Sequence, residues 1–334
     1  MRIQVGEAGA RFDLVQPAKR ASLDDLASEV ERGLRARPKR IPCRFFYDPT
    51  GSRIFEEICE LPEYYLTRAE DEILAVRAGE IAALVPTGSD LVELGSGSAR
   101  KTSRLIRAML ERSGRLRYVP IDISRSALEA SAERLLESHP ELSIRAIAGE
   151  YEEGLAALGD HAAPGRLVLF LGSNVGNLDR AGAATFLRGV ARRLSPVDRL
   201  VLGVDLRKPK EVLEPAYDDA RGVTARFNRN LLVRMNAELG AEFEAESFRH
   251  VAFYLEEEGR IEMHLESPRA CRVRIARLGM DVGLDAGERI HTEDSYKYSV
   301  AEIEALARAA GLSILAAWTD REQRFRVHVL GRRI

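Results

Sequence analysis

The chain has 334 residues, 45% hydrophobic and 31% charged, enough to bury a full core and to form a soluble globular protein of two lobes. Lys and Arg total 50 against 52 Asp and Glu, a net charge of -2 with no dominant block of like charge, which excludes the basic footprint of a nucleic-acid binder. The longest apolar runs, such as Leu167 to Leu171, fall far short of the ~18 residues of a membrane span, and the first residues lack the apolar segment of a secretory signal, so a cytoplasmic protein is expected.

Leu23, Leu26, Val30 and Leu34 recur at helical spacing, with Ser22 available as N-cap before Asp24 and Asp25. The segment Pro38 to Tyr65 then collects Phe45, Phe46, Tyr47, Phe55, Tyr64 and Tyr65 in a chain of only 6% aromatics, which reads equally as a core patch or as an aromatic wall over a ligand. Thr67 and Glu70 have capping-box spacing, which predicts a helix from about Arg68.

From Leu91 onward short apolar runs alternate with helical stretches. The predicted strands are Leu91 to Leu94, Arg117 to Ile121, Ser143 to Ala148, Leu167 to Leu171 and Leu200 to Val204. Helices are expected near Thr102 to Leu110, Ser126 to Glu137 and Ala181 to Leu194. This alternation defines a doubly wound α/β domain.

After Asp205 the pattern changes to a helix near Ala225 to Glu238, then strands His250 to Glu256 and Arg260 to Glu266 joined at Glu257-Glu258-Gly259. Arg272 to Ala276 and Glu288 to His291 are further strand candidates. A helix near Ala301 to Ala310 and strands Ser313 to Trp318 and Phe325 to Leu330 return to the first style. An α+β lobe inserted in a nucleotide-binding domain is therefore expected, joined by the N-terminal helices. Cys43, Cys59 and Cys271 stand far apart and the six histidines form no ligand pattern, so neither a disulfide framework nor a metal site is expected.

The chemistry concentrates at strand ends. Gly95-Ser96-Gly97 follows the first strand and opens a helix, a turn that lets backbone approach a ligand. Asp122 ends the next strand, where a carboxylate accepts ribose hydroxyls or caps the following helix, and Gly149-Glu150-Tyr151 ends the third. A dinucleotide loop would carry a third glycine at position 100, where this chain has Arg100. The loop suits S-adenosylmethionine better, with Glu93 organising it and Lys101 placed to meet the methionine carboxylate.

The segments FFYDPTGSRIFEEICELPEYYLTRAE (45 to 70), LVELGSGSARKT (91 to 102), VPIDIS (119 to 124), LFLGSNVGN (169 to 177), GVDLRKP (203 to 209), AYDDARGVTARFNRN (216 to 230), RIEMHL (260 to 265) and HTEDSYKY (291 to 298) resemble the histidine N-α-methyltransferases of ergothioneine biosynthesis. The resemblance runs from about Ser22 through both lobes. It implies a Rossmann-like class I methyltransferase domain (67 to 206 and 297 to 334) with an inserted α+β substrate-binding lobe (207 to 296) that the N-terminal helices (1 to 66) join.

The resemblance also implies a soluble monomer that uses S-adenosylmethionine to trimethylate the α-amino group of L-histidine, giving hercynine. By it, Gly95, Lys101, Asp122, Glu150 and Tyr151 fall on cofactor-binding positions. Asn177 and Tyr217 match the residues that hold the substrate α-carboxylate, Tyr64 lines the substrate site, and Glu293 with Ser295 forms the corner that recognises imidazole. Tyr47 and Met263 fall on further lining positions, and Tyr47 is the candidate proton relay. Two positions depart from the family pattern: Glu150 replaces the more usual aspartate, and Ser173-Asn174-Val175 the more usual Ser-Thr-Ile. A methyltransferase for another amino acid or a histidine derivative, and a non-catalytic protein that binds S-adenosylmethionine or a betaine, remain open alternatives.

Overall fold

The computed structural model describes residues 11–16, 23–158 and 163–333. In chain order its strands are Phe12–Val15 (β1), Lys39–Arg40 (β2), Asp90–Leu94 (β3), Leu116–Asp122 (β4), Leu142–Ala148 (β5), Arg166–Phe170 (β6) and Arg199–Asp205 (β7). They continue with Arg249–Leu255 (β8), Arg260–Glu266 (β9), Cys271–Ile275 (β10), Met280–Leu284 (β11), Arg289–Tyr296 (β12), Leu312–Thr319 (β13) and Phe325–Arg332 (β14). The helices are Leu23–Arg35 (α1), Pro49–Cys59 (α2), Leu66–Ala82 (α3), Ser103–Ser113 (α4) and Arg125–Ser138 (α5). Tyr151–Ala157 (α6), Arg180–Ala191 (α7), Lys210–Tyr217 (α8), Val223–Leu239 (α9) and Val300–Ala309 (α10) complete the set. The expected N-cap Ser22 lies outside the described residues.

Two units divide the chain. The described residues of the first come from 11–16, 66–207 and 297–333, and those of the second from 23–65 and 208–296. The first unit is built on one eight-stranded sheet in the order β1-β5-β4-β3-β6-β7-β14-β13. Strands β5, β4, β3, β6 and β7 run parallel, because each apolar run is followed by a helix that carries the chain back. Every residue of β3 and of β6 is buried; after Arg166, β6 accordingly reads as a continuous apolar run, whereas β3 buries Asp90 and Glu93 among its apolar residues. A Leu169→Ala truncation in this sheet would cost about 2–5 kcal/mol.

The helix ends follow ordinary capping chemistry. The Ser124 side chain accepts from Ala127 N–H at the start of α5, and Ser299 with Glu302 forms a reciprocal capping box on α10. Gly114 closes α4 at φ 68°, a left-handed conformation that favours glycine. One expectation fails here: α3 begins at Leu66, and Glu70 does not reach back to cap it. Its carboxylate is fully buried and bonded elsewhere, as described below. The strand β1 was also unforeseen. It pairs parallel with β5, so Phe12–Val15 belongs to this sheet and not to the N-terminal helices.

The second unit carries a four-stranded sheet in the order β2-β12-β9-β8 and the separate β10-β11 hairpin. β8 and β9 are antiparallel and joined across Glu257-Glu258-Gly259, with Gly259 at φ 65°. Its long helix α9 buries Phe227, Asn228, Leu231, Leu232 and Met235. Strand β12 runs to Tyr296, well past the expected end at His291, so Glu293 and Ser295 stand on a strand and not in a loop.

Candidate functional site

In the first unit, β3 pairs with β4 on one side and β6 on the other, so the strand order reverses at β3. The crevice outside the carboxyl ends at such a reversal is where open α/β sheets bind ligands. Gly95 leaves β3 there at φ 73°, its N–H donating to Ile121 O at 2.8 Å. A Cβ at this position would stand 2.7 Å from Asn174 Nδ2 and 2.9 Å from the Tyr151 hydroxyl and would push these side chains aside, and the left-handed φ itself favours glycine. The same crowding places Gly95, Tyr151 and Asn174 together. Tyr151 stands edge-on to Phe170 at 5.3 Å and is tilted against Phe186 at 5.7 Å.

Asp122, the last residue of β4, accepts from Gly97 N–H and from Ser124 N–H, both at 2.8 Å. Ser124, not Asp122, caps α5. The Asp122 carboxylate therefore belongs to the glycine loop, and burial pushes its pKa up against the pull of those backbone donors. Glu150 is the N-cap of α6 and forms a capping box with Glu153. Asn177 ends the short 3-10 turn Asn174–Asn177 after β6.

Glu93 organises this loop from beneath. Its carboxylate is buried and accepts from Thr102 Oγ1 at 2.7 Å and from the Tyr118 hydroxyl. Burial pushes its pKa up to about 7, only partly offset by those two donors and by Lys101. Lys101 itself forms an ion pair with Glu70. The Glu70 oxygens also accept from Gly172 N–H at 3.0 and 2.9 Å, which joins the loop after β3 to the turn after β6. These features fit the cofactor expected from the sequence: a glycine loop open to a nucleoside, a carboxylate at the second strand end and a lysine for an acidic group.

In the second unit four of the expected substrate-side residues, Tyr47, Tyr64, Tyr217 and Ser295, are linked through one aromatic cluster. Tyr47 stands edge-on to Phe55 at 5.6 Å and to Phe227 at 5.8 Å, Phe55 lies 6.2 Å from Tyr64, and Tyr64 lies 6.3 Å from Tyr217. The Tyr217 hydroxyl meets Ser295 Oγ at 2.8 Å. A β-bulge places the rest: Thr292 is the extra residue of β12 between His291, opposite His264, and Glu293, opposite Met263. The bulge turns Glu293 and Ser295 to the same face as Ile261 and Met263, and Thr292 Oγ1 donates to Met263 O at 3.0 Å. Met263 is thus set beside Glu293 by register. Burial raises the Tyr64 pKa well above its ordinary value, and Tyr217, Cys59, Tyr47 and Glu293 push the same way, so Tyr64 stays a protonated hydroxyl.

Sequence reading missed three side chains that hold these groups. Glu70 has the spacing of a helix cap, which hides its tertiary role. Asn228 and His250 carried no signal, since an asparagine inside a helix and a histidine on a strand are ordinary. The buried His250 ring accepts from Asn228 Nδ2 at Nδ1 and donates from Nε2 to Tyr217 O, each at 2.8 Å, which fixes the tautomer and the end of α8. Burial lowers the His250 pKa, so the ring stays neutral.

Among the described residues, Glu262, His291 and Asp294 bring candidate ligand atoms within 4.8 Å of one another. Arg260 already forms ion pairs with Glu262 and Asp294, and its pKa is raised by these acidic neighbours despite the lowering effect of burial. No helix among the described residues is long and apolar enough to cross a membrane.

The strand order and the glycine loop together define a class I S-adenosylmethionine-dependent methyltransferase domain. Residues 26–332 match the family described as histidine-specific methyltransferase, SAM-dependent, and the chain belongs to that family. It is 43% identical over 295 residues to histidine N-alpha-methyltransferase of Mycobacterium tuberculosis, covering 88% of this chain and 91% of the relative. To the protein of the same name from Mycolicibacterium smegmatis it is 43% identical over 301 residues, covering 90% and 92%. Ergothioneine biosynthesis protein 1 of Neurospora crassa is 31% identical over 313 residues, which cover 92% of this chain and 35% of that longer protein.

Proposed function

We propose that this protein transfers methyl groups from S-adenosylmethionine to the α-amino group of L-histidine, through the mono- and dimethyl forms to hercynine, for ergothioneine biosynthesis. The observation that carries this reading is the 43% identity, over about nine-tenths of both chains, to relatives named for that reaction. The gathering of Tyr64, Tyr217, Ser295 and Glu293 at one aromatic cluster supports it.

In this reading Asp122 accepts the ribose hydroxyls, Lys101 meets the methionine carboxylate, Gly95 gives the backbone its close approach, and Glu150 and Tyr151 serve the adenine side. The cofactor supplies an electrophilic methyl group, and the protein's task is alignment. An amine lone pair must lie ~3 Å from the methyl carbon and in line with the bond that breaks. The unit of 23–65 and 208–296 is the substrate lobe, in which Tyr217 and Tyr64 hold the amino-acid end, and the family resemblance assigns Asn177 to the substrate α-carboxylate.

Glu293, supported by Ser295, accepts the imidazole N–H. A side chain without that donor leaves a carboxylate unpaired, which is a strong basis for discrimination. Met263 packs beside it. An α-amino group has an ordinary pKa of ~8, and a neighbouring cation lowers it, so proton loss to solvent suffices with Tyr47 as the relay. Aromatic faces of Phe46, Tyr47 and Tyr64 suit the product, since a ring beside a quaternary nitrogen contributes ~0.5–2 kcal/mol.

The test is to incubate the protein with S-adenosylmethionine and each proteinogenic amino acid in turn, and to measure S-adenosylhomocysteine release. Release with histidine alone supports the proposal. Preference for another amino acid, or tight cofactor binding with no release, contradicts it. A cytoplasmic, monomeric protein completes the reading, with the mass in solution as its check.

A further inference from the structure

We propose that Glu70 is a positioning residue that presents Lys101 to the amino-acid end of the cofactor, an inference that rests on the S-adenosylmethionine reading of the same loop. A fully buried carboxylate requires donors on its oxygens. Glu70 has them: Gly172 N–H lies 3.0 Å from one oxygen and 2.9 Å from the other, and the Lys101 ammonium pairs with Oε2.

The remaining side is closed by Gly203 of β7, where a Cβ would stand 1.9 Å from Glu70 Oε1. The carboxylate can occupy its place only because β7 carries no side chain there. One residue of α3 thereby ties the loop after β3 to the turn after β6, the two segments that flank the reversal in strand order. An ammonium carries three donors and can hold one carboxylate while it binds another. Glu70 fixes the lysine for that second contact by holding one of its donors on a carboxylate that is itself fully buried and tied to Gly172.

Glutamine is the informative replacement at this position. A carboxamide keeps the shape but loses the negative charge that pairs with Lys101, and its NH2 cannot accept from Gly172 N–H as the second carboxylate oxygen does, so Glu70→Gln removes the ion pair and weakens the tie to Gly172. Gly203→Ala displaces the same carboxylate sterically while leaving its charge. Both variants, checked for folding by thermal melting, are titrated calorimetrically with S-adenosylhomocysteine, which has the amino-acid end, and with 5′-methylthioadenosine, which lacks it.

The expected result is about a tenfold loss of S-adenosylhomocysteine affinity with 5′-methylthioadenosine binding unchanged, in either variant that folds. Equal loss for both ligands means that Glu70 only supports the loop, and overturns the inference. Unchanged or tighter S-adenosylhomocysteine binding overturns it as well. Failure of the unaltered protein to bind either nucleoside overturns the cofactor reading itself, and this inference with it.

Discussion

Tyr217, which closes α8, and Ser295, near the end of β12, meet hydroxyl to hydroxyl at 2.8 Å, both buried. The pair joins a helix to the bulged strand that carries Glu293. The Tyr217 backbone is itself held by His250, so its hydroxyl is fixed from two directions.

Tyr217→Phe removes that hydroxyl and leaves the ring. The expected outcome is a rise of about tenfold in KM for histidine with little change for S-adenosylmethionine, the size of one buried hydrogen bond to a charged group. Ser295→Ala is expected to overlap with it, so that the double variant loses less than the product of the two. Steady-state kinetics on the four proteins checks this, and full additivity would count against a shared role.

Glu293→Ala should weaken histidine binding by about 10- to 100-fold, since a charge-assisted hydrogen bond is worth ~1.5–3 kcal/mol. Cofactor affinity should stay near the unaltered value. Calorimetric titration with histidine decides the matter; an unchanged histidine affinity refutes the assignment.

Asp122→Ala has the opposite pattern. The carboxylate holds the glycine loop through Gly97 N–H and Ser124 N–H, so its loss should weaken S-adenosylhomocysteine binding and 5′-methylthioadenosine binding alike. A purely structural Asp122 would lower the melting temperature and spare the affinity of the folded protein.

His328 gives a pH dependence of stability. The ring on β14 is fully buried, and burial together with Arg326 lowers its pKa to about 4 from an ordinary 6.5. The unfolded chain binds a proton below pH 6.5 that the folded chain refuses until about pH 4, so the stability contributed by the neutral ring is complete above 6.5 and is lost as pH falls through that window. The loss should reach on the order of 2 kcal/mol near the bottom of the window. Urea unfolding of the unaltered protein and His328→Leu at neutral pH and near pH 4.5 measures it, and the leucine variant should show the shallower decline.

The parallel sheet was legible because burial on both faces leaves apolar runs, as in Leu167 to Leu171 and Leu200 to Val204. Elements that break those patterns were not. Strand β1 is four residues long, with Asp13 in its middle, on a sheet edge. Helix α8 contains Pro215, and β11 carries Asp281 and Gly283. Glu70 shows the limit of local spacing: its separation from Thr67 matches a helix cap, and only tertiary contacts with Gly172, Lys101 and Gly203 show the actual use of its charge.

On the substrate side the individual side chains were named through family resemblance. Their convergence depends on the Thr292 bulge, which no period-two reading of β12 reveals.

The most direct measurement of the central claim is the mass and fragmentation spectrum of histidine recovered after incubation with the protein and S-adenosylmethionine. The account requires successive products carrying one, two and then three methyl groups, all on the α-nitrogen. Methyl groups on the imidazole ring, or histidine recovered unchanged while the cofactor is bound, would contradict it.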